Sequence, residues 1–199
     1  MTQYGFMFDM NRCYACQACS IACKDWHGIE PGAEKFMTVY EWEEGTFPNI
    51  RLHSLAFPCA HCEDPACLKV CESGAIYKED EFGAVLVDQD KCTGCRKCYD
   101  ACPYGAPRFA TDEPTCKMSK CDMCIDRVEA GLPPMCVKTC PTGAMVFDER
   151  DALLTLAQQR LAAARERFPK AHLVDVEDVS VIYLLAEEKE HYYEHASFM

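Results

Sequence analysis

Nowhere in the 199 residues does an apolar run reach the roughly 18 residues that a membrane-crossing helix requires. Basic residues are also scarce. Lys and Arg together number 20 against 32 Asp and Glu, a formal net charge of -12, so the chain lacks a phosphate-neutralising surface overall and a protein partner is favoured over nucleic acid. No nucleophile, base and orienting group stand together in a recognisable pattern, and no glycine-rich phosphate loop occurs, so the chain alone is expected to transform no substrate. Residues 1–10, MTQYGFMFDM, lack a basic n-region and a long apolar h-region. The expectation is a protein with no secretory signal of its own, either cytoplasmic or exported with a partner. Disorder is excluded by a hydrophobic content of 49%.

Cysteine is what the chain has in excess: 17 residues, of which 16 fall into four runs. The first is Cys13, Cys16, Cys19 and Cys23, spaced CxxCxxCxxxC. The second, Cys59, Cys62, Cys67 and Cys71, has a longer middle gap. The third, Cys92, Cys95, Cys98 and Cys102, repeats the first spacing and is followed by Pro103. The fourth is Cys121 and Cys124, then Cys136 and Cys140 followed by Pro141. CxxCxxCxxxC with a following proline is the ligand run of 4Fe-4S ferredoxins, in which three thiolates hold one cluster and the fourth reaches a second. Sixteen thiolates, four per cubane, make four 4Fe-4S clusters. Zinc sites use CxxC pairs but have no use for the repeated trailing xxxC, and a disulfide framework needs an even count and export; both readings are weaker. Cys116 stands outside the runs, and a free or packed thiol is its plainest reading, with a ligand exchange or redox role as the alternative.

Charge follows the cysteines. Residues 91–140 hold nine cysteines with eight bases and six acids, the only stretch that is not acidic. Either this is chance, or Lys91, Arg96, Lys97, Lys117, Lys120 and Lys138 offset thiolate charge beside bound metal. His61 lies between Cys59 and Cys62; since cysteine fills every ligand position, it reads as a hydrogen-bonding residue to cluster sulfur or backbone. His27, His53, His172, His191 and His195 show no ligand spacing.

The blocks TQYGFMFDMNRCYACQACSIACK, PCAHCEDPACLKVC, DKCTGCRKCYDACPYGAPRF and CDMCIDRVEAGLPPMCVKTCPTGA resemble the four-cluster iron-sulfur subunits of molybdopterin oxidoreductases, most closely the dimethyl sulfoxide reductase type. The resemblance covers residues 2 to 148. It implies crossed ligation: Cys13, Cys16 and Cys19 with Cys140; Cys23 with Cys121, Cys124 and Cys136; Cys59, Cys62 and Cys67 with Cys102; Cys71 with Cys92, Cys95 and Cys98. In the nitrate reductase branch a run-three cysteine is Trp and an iron is lost; Cys95 is present here, implying four complete clusters. Run two ends Cys71-Glu72 where many relatives have Cys-Pro, which leaves Glu72 near a cluster.

The implied fold is α+β: two ferredoxin-like units, each with two 4Fe-4S clusters, related by pseudo-twofold symmetry. Residues 1–50 and 110–150 form the outer unit, 51–109 the inner, and 151–199 a C-terminal helix and strand. The implied function is electron relay between a donor, quinol-linked membrane anchor or soluble, and a catalytic subunit carrying a molybdenum or tungsten bis-pterin, with the Cys13 cluster nearest the pterin. The same role in a soluble formate dehydrogenase or an aromatic dehydroxylase or transhydroxylase is the alternative. A free polyferredoxin and a zinc-stapled module are the rivals from other classes.

Periodicity predicts strands over 4–9, 51–57, 144–147 and 179–185 and a hairpin over 75–77 and 85–87 around an acidic turn. It predicts a short helix over 125–130 stopped by Gly131, and an amphipathic helix over 151–168 whose stripe of Leu153, Leu154, Leu156, Ala157, Leu161 and Ala164 either packs on its own core or docks a partner subunit. Residues 30–50, punctuated by Pro31, Gly32, Gly45 and Pro48, read as an excursion away from the clusters. The tail EEKEHYYEHASFM reads as polar and aromatic.

Overall fold

A computed structural model describes residues 3–32, 34–174 and 177–193; the end of the tail, residues 194–199, lies outside the described residues. The architecture is mixed α+β, and its centre is a four-stranded sheet in the order β6 (Met145–Glu149), β1 (Tyr4–Asp9), β8 (Val181–Leu185) and β7 (His172–Val174). β1 pairs antiparallel with β6 and parallel with β8, which in turn pairs antiparallel with β7.

Both faces of this sheet are covered, which explains why β1 and β8 read as nearly continuous hydrophobic runs. Phe6 and Phe8 of β1 and Val181, Tyr183 and Leu185 of β8 point into the main core, where Leu55 and Phe57 also pack. The alternate residues Met7, Ile182 and Leu184 point the other way, onto Leu153, Ala157 and Leu161 of α6 (Arg150–Arg167). The stripe on that helix is thus satisfied inside the molecule. Burying each of those leucines contributes about 1.5–3 kcal/mol of hydrophobic free energy.

Residues 30–50 depart from the sequence reading. They contain β2 (Thr38–Thr46), which forms a hairpin with β3 (Asn49–Phe57) in full register from Thr38 opposite Phe57 to Thr46 opposite Asn49. Gly45 and Pro48, which read as loop punctuation along the sequence, are the end of a strand and a residue of its two-residue turn. The predicted hairpin beside run two is present as β4 (Ile76–Lys78) and β5 (Val85–Val87).

Short helices carry the cysteine runs. α1 (Ala18–Trp26) carries Cys19 and Cys23 of run one and packs on α5 (Met135–Lys138) of run four. α2 (Ala66–Lys69) of run two packs on α3 (Lys97–Ala101) of run three. α4 (Ile125–Glu129) fills the first part of the run-four insertion, and α7 (Glu190–Tyr193) closes the described residues. No described helix is long and apolar enough to cross a membrane.

Candidate metal centres

The four cysteine runs share one backbone device. In each CxxC step, the residue before the second cysteine has positive φ: Ala15 at 56°, His61 at 44°, Gly94 at 72° and Met123 at 65°. Three of these four are not glycine, and left-handed backbone at side-chain-bearing residues is uncommon and costs about 1–3 kcal/mol. The strain reverses the local path so that both thiols of the step face one side. Gln17 and Arg96, one residue past the second cysteine in runs one and three, repeat a second left-handed position, at 61° and 64°, as the N-caps of α1 and α3.

A matching device closes three of the runs. Cys71-Glu-Ser-Gly-Ala, Cys102-Pro-Tyr-Gly-Ala and Cys140-Pro-Thr-Gly-Ala each turn on a glycine whose N–H donates to the cysteine carbonyl, at 3.1, 3.2 and 3.2 Å. The turn aims backbone N–H groups at sulfur. Burial alone would raise the Cys71 thiol, but hydrogen bonds from the Ser73 hydroxyl and the amides of Ile76, Ala75 and Ser73 bring its pKa below the ordinary value. Cys140 repeats this with the Met145 amide, the Thr142 hydroxyl and the Ala144 amide against burial. Amides of Ala106 and Met118 donate to the sulfurs of Cys102 and Cys92, each at 3.4 Å.

The runs are stitched together by the rest of the fold. The Asp9 amide donates to Ala144 O at 2.9 Å and Arg12 to Thr142 O at 3.3 Å, joining run one to run four. Ser20 donates to Met37 O at 2.8 Å and Ser54 to Cys13 O at 3.4 Å, laying the β2–β3 hairpin over run one. Run two is tied to the residue that precedes β8: Ser180 donates its amide to Ala60 O and its hydroxyl to His61 O, both at 2.9 Å.

None of the 17 cysteines forms a disulfide. Cys13, Cys16, Cys19 and Cys140 line one pocket with Phe8, Val39 and Ala56. Cys71, Cys92, Cys95 and Cys98 line another with Ile76, Phe109 and Met118. Around Cys62, the charges felt most strongly are those of Cys59, Cys102 and Cys67. Cys23 and Cys136 each lie close to Cys124, and Cys121 lies close to Cys23 and Cys136.

Burial, then mutual repulsion, dominates the thiol electrostatics. Cys19, Cys23 and Cys62 are pushed up to about 12, and Cys67, Cys98 and Cys124 up to about 11, burial being the largest cause in each. Cys121 and Cys136 rise well above the ordinary thiol value for the same reason. Such thiols stay protonated at neutral pH unless a cation shares their cavity, so iron binding displaces their protons. Clustered, buried, unbridged thiols with amides aimed at sulfur are the donor set that iron-sulfur clusters require.

Of the six cations expected to offset thiolate charge, Lys120 is buried and does so. Its Nζ donates to Val85 O and, at 2.8 Å, to Cys121 O, and its charge opposes the rise at Cys67. Lys91 pairs instead with Asp88 at 2.8 Å, and Lys97 pairs with Glu72 at 2.5 Å while also feeling the charge of Cys95. Arg96 lies over the Phe109 ring and acts on Cys116, which sits apart from the four sets. Arg127, which sequence reasoning passed over, is buried beneath Trp26 and lowers the charge cost at Cys124. His61 is fully buried, its Nδ1 accepting the Val85 amide at 3.0 Å, and burial keeps it neutral.

Comparison with known proteins agrees. Residues 50–150 match the family model of the 4Fe-4S dicluster domain. The sequence is 46% identical to the beta subunit of formate dehydrogenase 2 (cytochrome c-553) of Nitratidesulfovibrio vulgaris, over 98% of its own length and 99% of the relative's. It is 43% identical to the B polypeptide of the anaerobic dimethyl sulfoxide reductase of Escherichia coli over 86% and 84%, and 38% identical to the B polypeptide of the sulfite dehydrogenase of Allochromatium vinosum over 75% and 70%. With sixteen cysteines in four runs, none of them bridged, and relatives of this kind along nearly its whole length, the protein belongs to the iron-sulfur electron-transfer subunits of molybdopterin oxidoreductases and takes four 4Fe-4S clusters as its cofactors.

Proposed function

We propose that the four thiol sets are the four ligand sets and that the clusters stand in one row. The sets are Cys13, Cys16, Cys19 and Cys140; Cys23, Cys121, Cys124 and Cys136; Cys59, Cys62, Cys67 and Cys102; and Cys71, Cys92, Cys95 and Cys98. The observation that carries the row is which sets feel one another. Cys136 feels Cys19 of the first set, Cys121 feels Cys59 of the third, and Cys98 feels Cys67. Cys16 and Cys95, the two exposed ligand-set cysteines, belong to the first and last sets. Electrons therefore enter at one end and leave at the other.

In this reading residues 1–50 and 110–150 form the outer ferredoxin-like unit and 51–109 the inner, with 151–199 as an extension whose helix covers the sheet. Packing of α1 on α5 and of α2 on α3 supports the division. The clusters supply one-electron redox sites. The protein holds their thiolates, donates amides to sulfur and keeps water from the two middle sets.

The partner is a catalytic subunit with a molybdenum or tungsten bis-pterin, seated at the Cys13 end. End-to-end identity with a formate dehydrogenase beta subunit, together with 36% identity over 96% of the chain to the one from Megalodesulfovibrio gigas, favours a formate dehydrogenase partner over a reductase. The test is anaerobic purification of the complex. A large pterin-containing subunit and about sixteen irons per copy of this chain are expected, with bleaching of the cluster colour on adding formate. Reoxidation of reduced clusters by dimethyl sulfoxide, without reduction by formate, would move the assignment to a reductase. Isolation of the chain alone would make it a diffusible polyferredoxin.

A further inference from the structure

From the hairpin between the first two cysteine runs and from the C-terminal helix, the fold assembles a second metal-ligating group. Glu44 on β2, His53 on β3 and His191 on α7 bring one carboxylate oxygen and two imidazole nitrogens within 4.8 Å of one another. His53 Nε2 lies 3.6 Å from one Glu44 oxygen and His191 Nε2 lies 2.9 Å from the other. Ligands of a tetrahedral zinc ion, at about 2.0–2.1 Å from the metal, stand about 3.3 Å apart, the spacing these two distances bracket.

The three side chains do not satisfy one another by hydrogen bonding. His53 is 1% exposed, and neither of its ring nitrogens has a hydrogen-bond partner; His191 Nε2 is also buried and, despite its approach to Glu44, lies outside hydrogen-bond geometry. A buried polar atom left unpaired costs about 1–3 kcal/mol, so two converging imidazoles of this kind call for a ligand. The ring of His53 is held by stacking on Trp42, directly across the hairpin, at 5.4 Å between centroids. Trp42 Nε1 donates to Glu44 Oε1 at 3.3 Å, orienting the carboxylate from outside the group. Burial, with help from His191 and Arg51, lowers the His53 pKa against the pull of Glu44 and keeps its ring in the neutral form that binds metal.

We propose that Glu44, His53 and His191 form a site for one divalent ion of the zinc class, with solvent as fourth ligand. The donor set of two imidazoles and one carboxylate, with no thiol, suits zinc, which such nitrogen and oxygen donors hold more tightly than ferrous iron, and it differs from the thiolate sets that gather iron-sulfur clusters. Its place in the fold gives it a structural task. It joins the β2–β3 hairpin, which covers run one, to α7, whose Tyr192 is fully buried against Trp42 and donates to Met10 sulfur. A metal there staples the C-terminal helix over the start of the chain.

The test uses the holoprotein, purified anaerobically, exposed to zinc ions and dialysed before its metals are counted. About one zinc per protein molecule is expected beside an unchanged iron content. H191A and E44Q should each lower the zinc at least tenfold with iron retained, iron serving as the check that both variants fold. X-ray absorption at the zinc edge should show nitrogen and oxygen neighbours at about 2.0 Å. Zinc below a tenth per molecule in the unaltered protein, zinc unchanged in both variants, or a sulfur shell at about 2.3 Å that marks zinc in a cysteine site would each overturn the proposal.

Discussion

Cys116 and Cys136 show what decides a cysteine's role at the level of a single residue. Cys116 is partly accessible, and hydrogen bonds from the amide and hydroxyl of Thr111 lower its pKa, with Arg96 adding to them against burial. Cys136 is buried among Cys124, Cys23 and Cys19, and its pKa rises far above the ordinary value. Reactivity follows thiolate and access together. Iodoacetamide applied to the anaerobic holoprotein should therefore modify one site, Cys116, read by peptide mass spectrometry, and C116S should keep about sixteen irons. C136S should lose about four. Labelling spread over the runs, or iron lost in C116S, would place Cys116 among the ligands. The spacing of the runs singled out sixteen cysteines in the sequence as candidate ligands and left Cys116 aside by register. It could not reveal Arg127, whose charge reaches Cys124 only after α4 has folded beneath Trp26, nor the meeting of His53 with His191, which lie far apart along the chain.

Secondary-structure elements divide into those that hold cysteines and those that hold the sheet, and substitutions should separate them. Leu153 of α6 is 1% exposed and packs on Met7, Ile182 and Leu184, away from every thiol set. L153A should cost about 3 kcal/mol and lower the apparent Tm by about 6–12 °C while iron per folded molecule stays constant. Gly94 does the opposite kind of work. It sits at φ +72° in run three, and a Cβ there would meet the Cys116 carbonyl oxygen at 2.6 Å and that of Pro114 at 3.0 Å. G94A should cost about 2–3 kcal/mol, and because the strain falls inside the loop of Cys92, Cys95 and Cys98, iron content should drop by about one cluster before the sheet melts. Helix α6 was readable from its stripe because Leu153, Ala157 and Leu161 recur at four-residue spacing on one face. Strand β2 was not, although Thr38, Val39, Tyr40 and Trp42 carry strand-forming side chains. Its outward Glu41 and Glu43 and the glycine near its end resemble loop composition, and the strand becomes legible only with β3 supplying the register.

Across the whole molecule, the charge pattern acquires a meaning it lacked along the sequence. The protein carries a net charge of -12, and the thiolates of the four proposed ligand sets add to it, yet the contact between the second and third of those sets would contain a buried cation, Lys120. Lys120 bonds to Cys121 O of one set and offsets Cys67 of the other, at the point where Cys121 and Cys59 feel each other. A positive charge at that junction favours the reduced, more negative form of the clusters on either side. It thereby keeps the middle of the row from becoming a barrier between its exposed ends. Replacing the lysine by an uncharged side chain of similar length removes that support without opening a cavity. In K120M, the midpoint potential of at least one cluster, followed by redox titration with electron paramagnetic resonance, should fall by on the order of 60 mV, one factor of ten in a one-electron equilibrium. The iron content should stay unchanged. Electron transfer through the complex should slow, because an electron crossing from the second set to the third then meets a site that is harder to reduce. If all four potentials stayed where they were while the protein kept its iron, Lys120 would be a packing residue, and the row would owe its middle potentials to the amides aimed at sulfur alone.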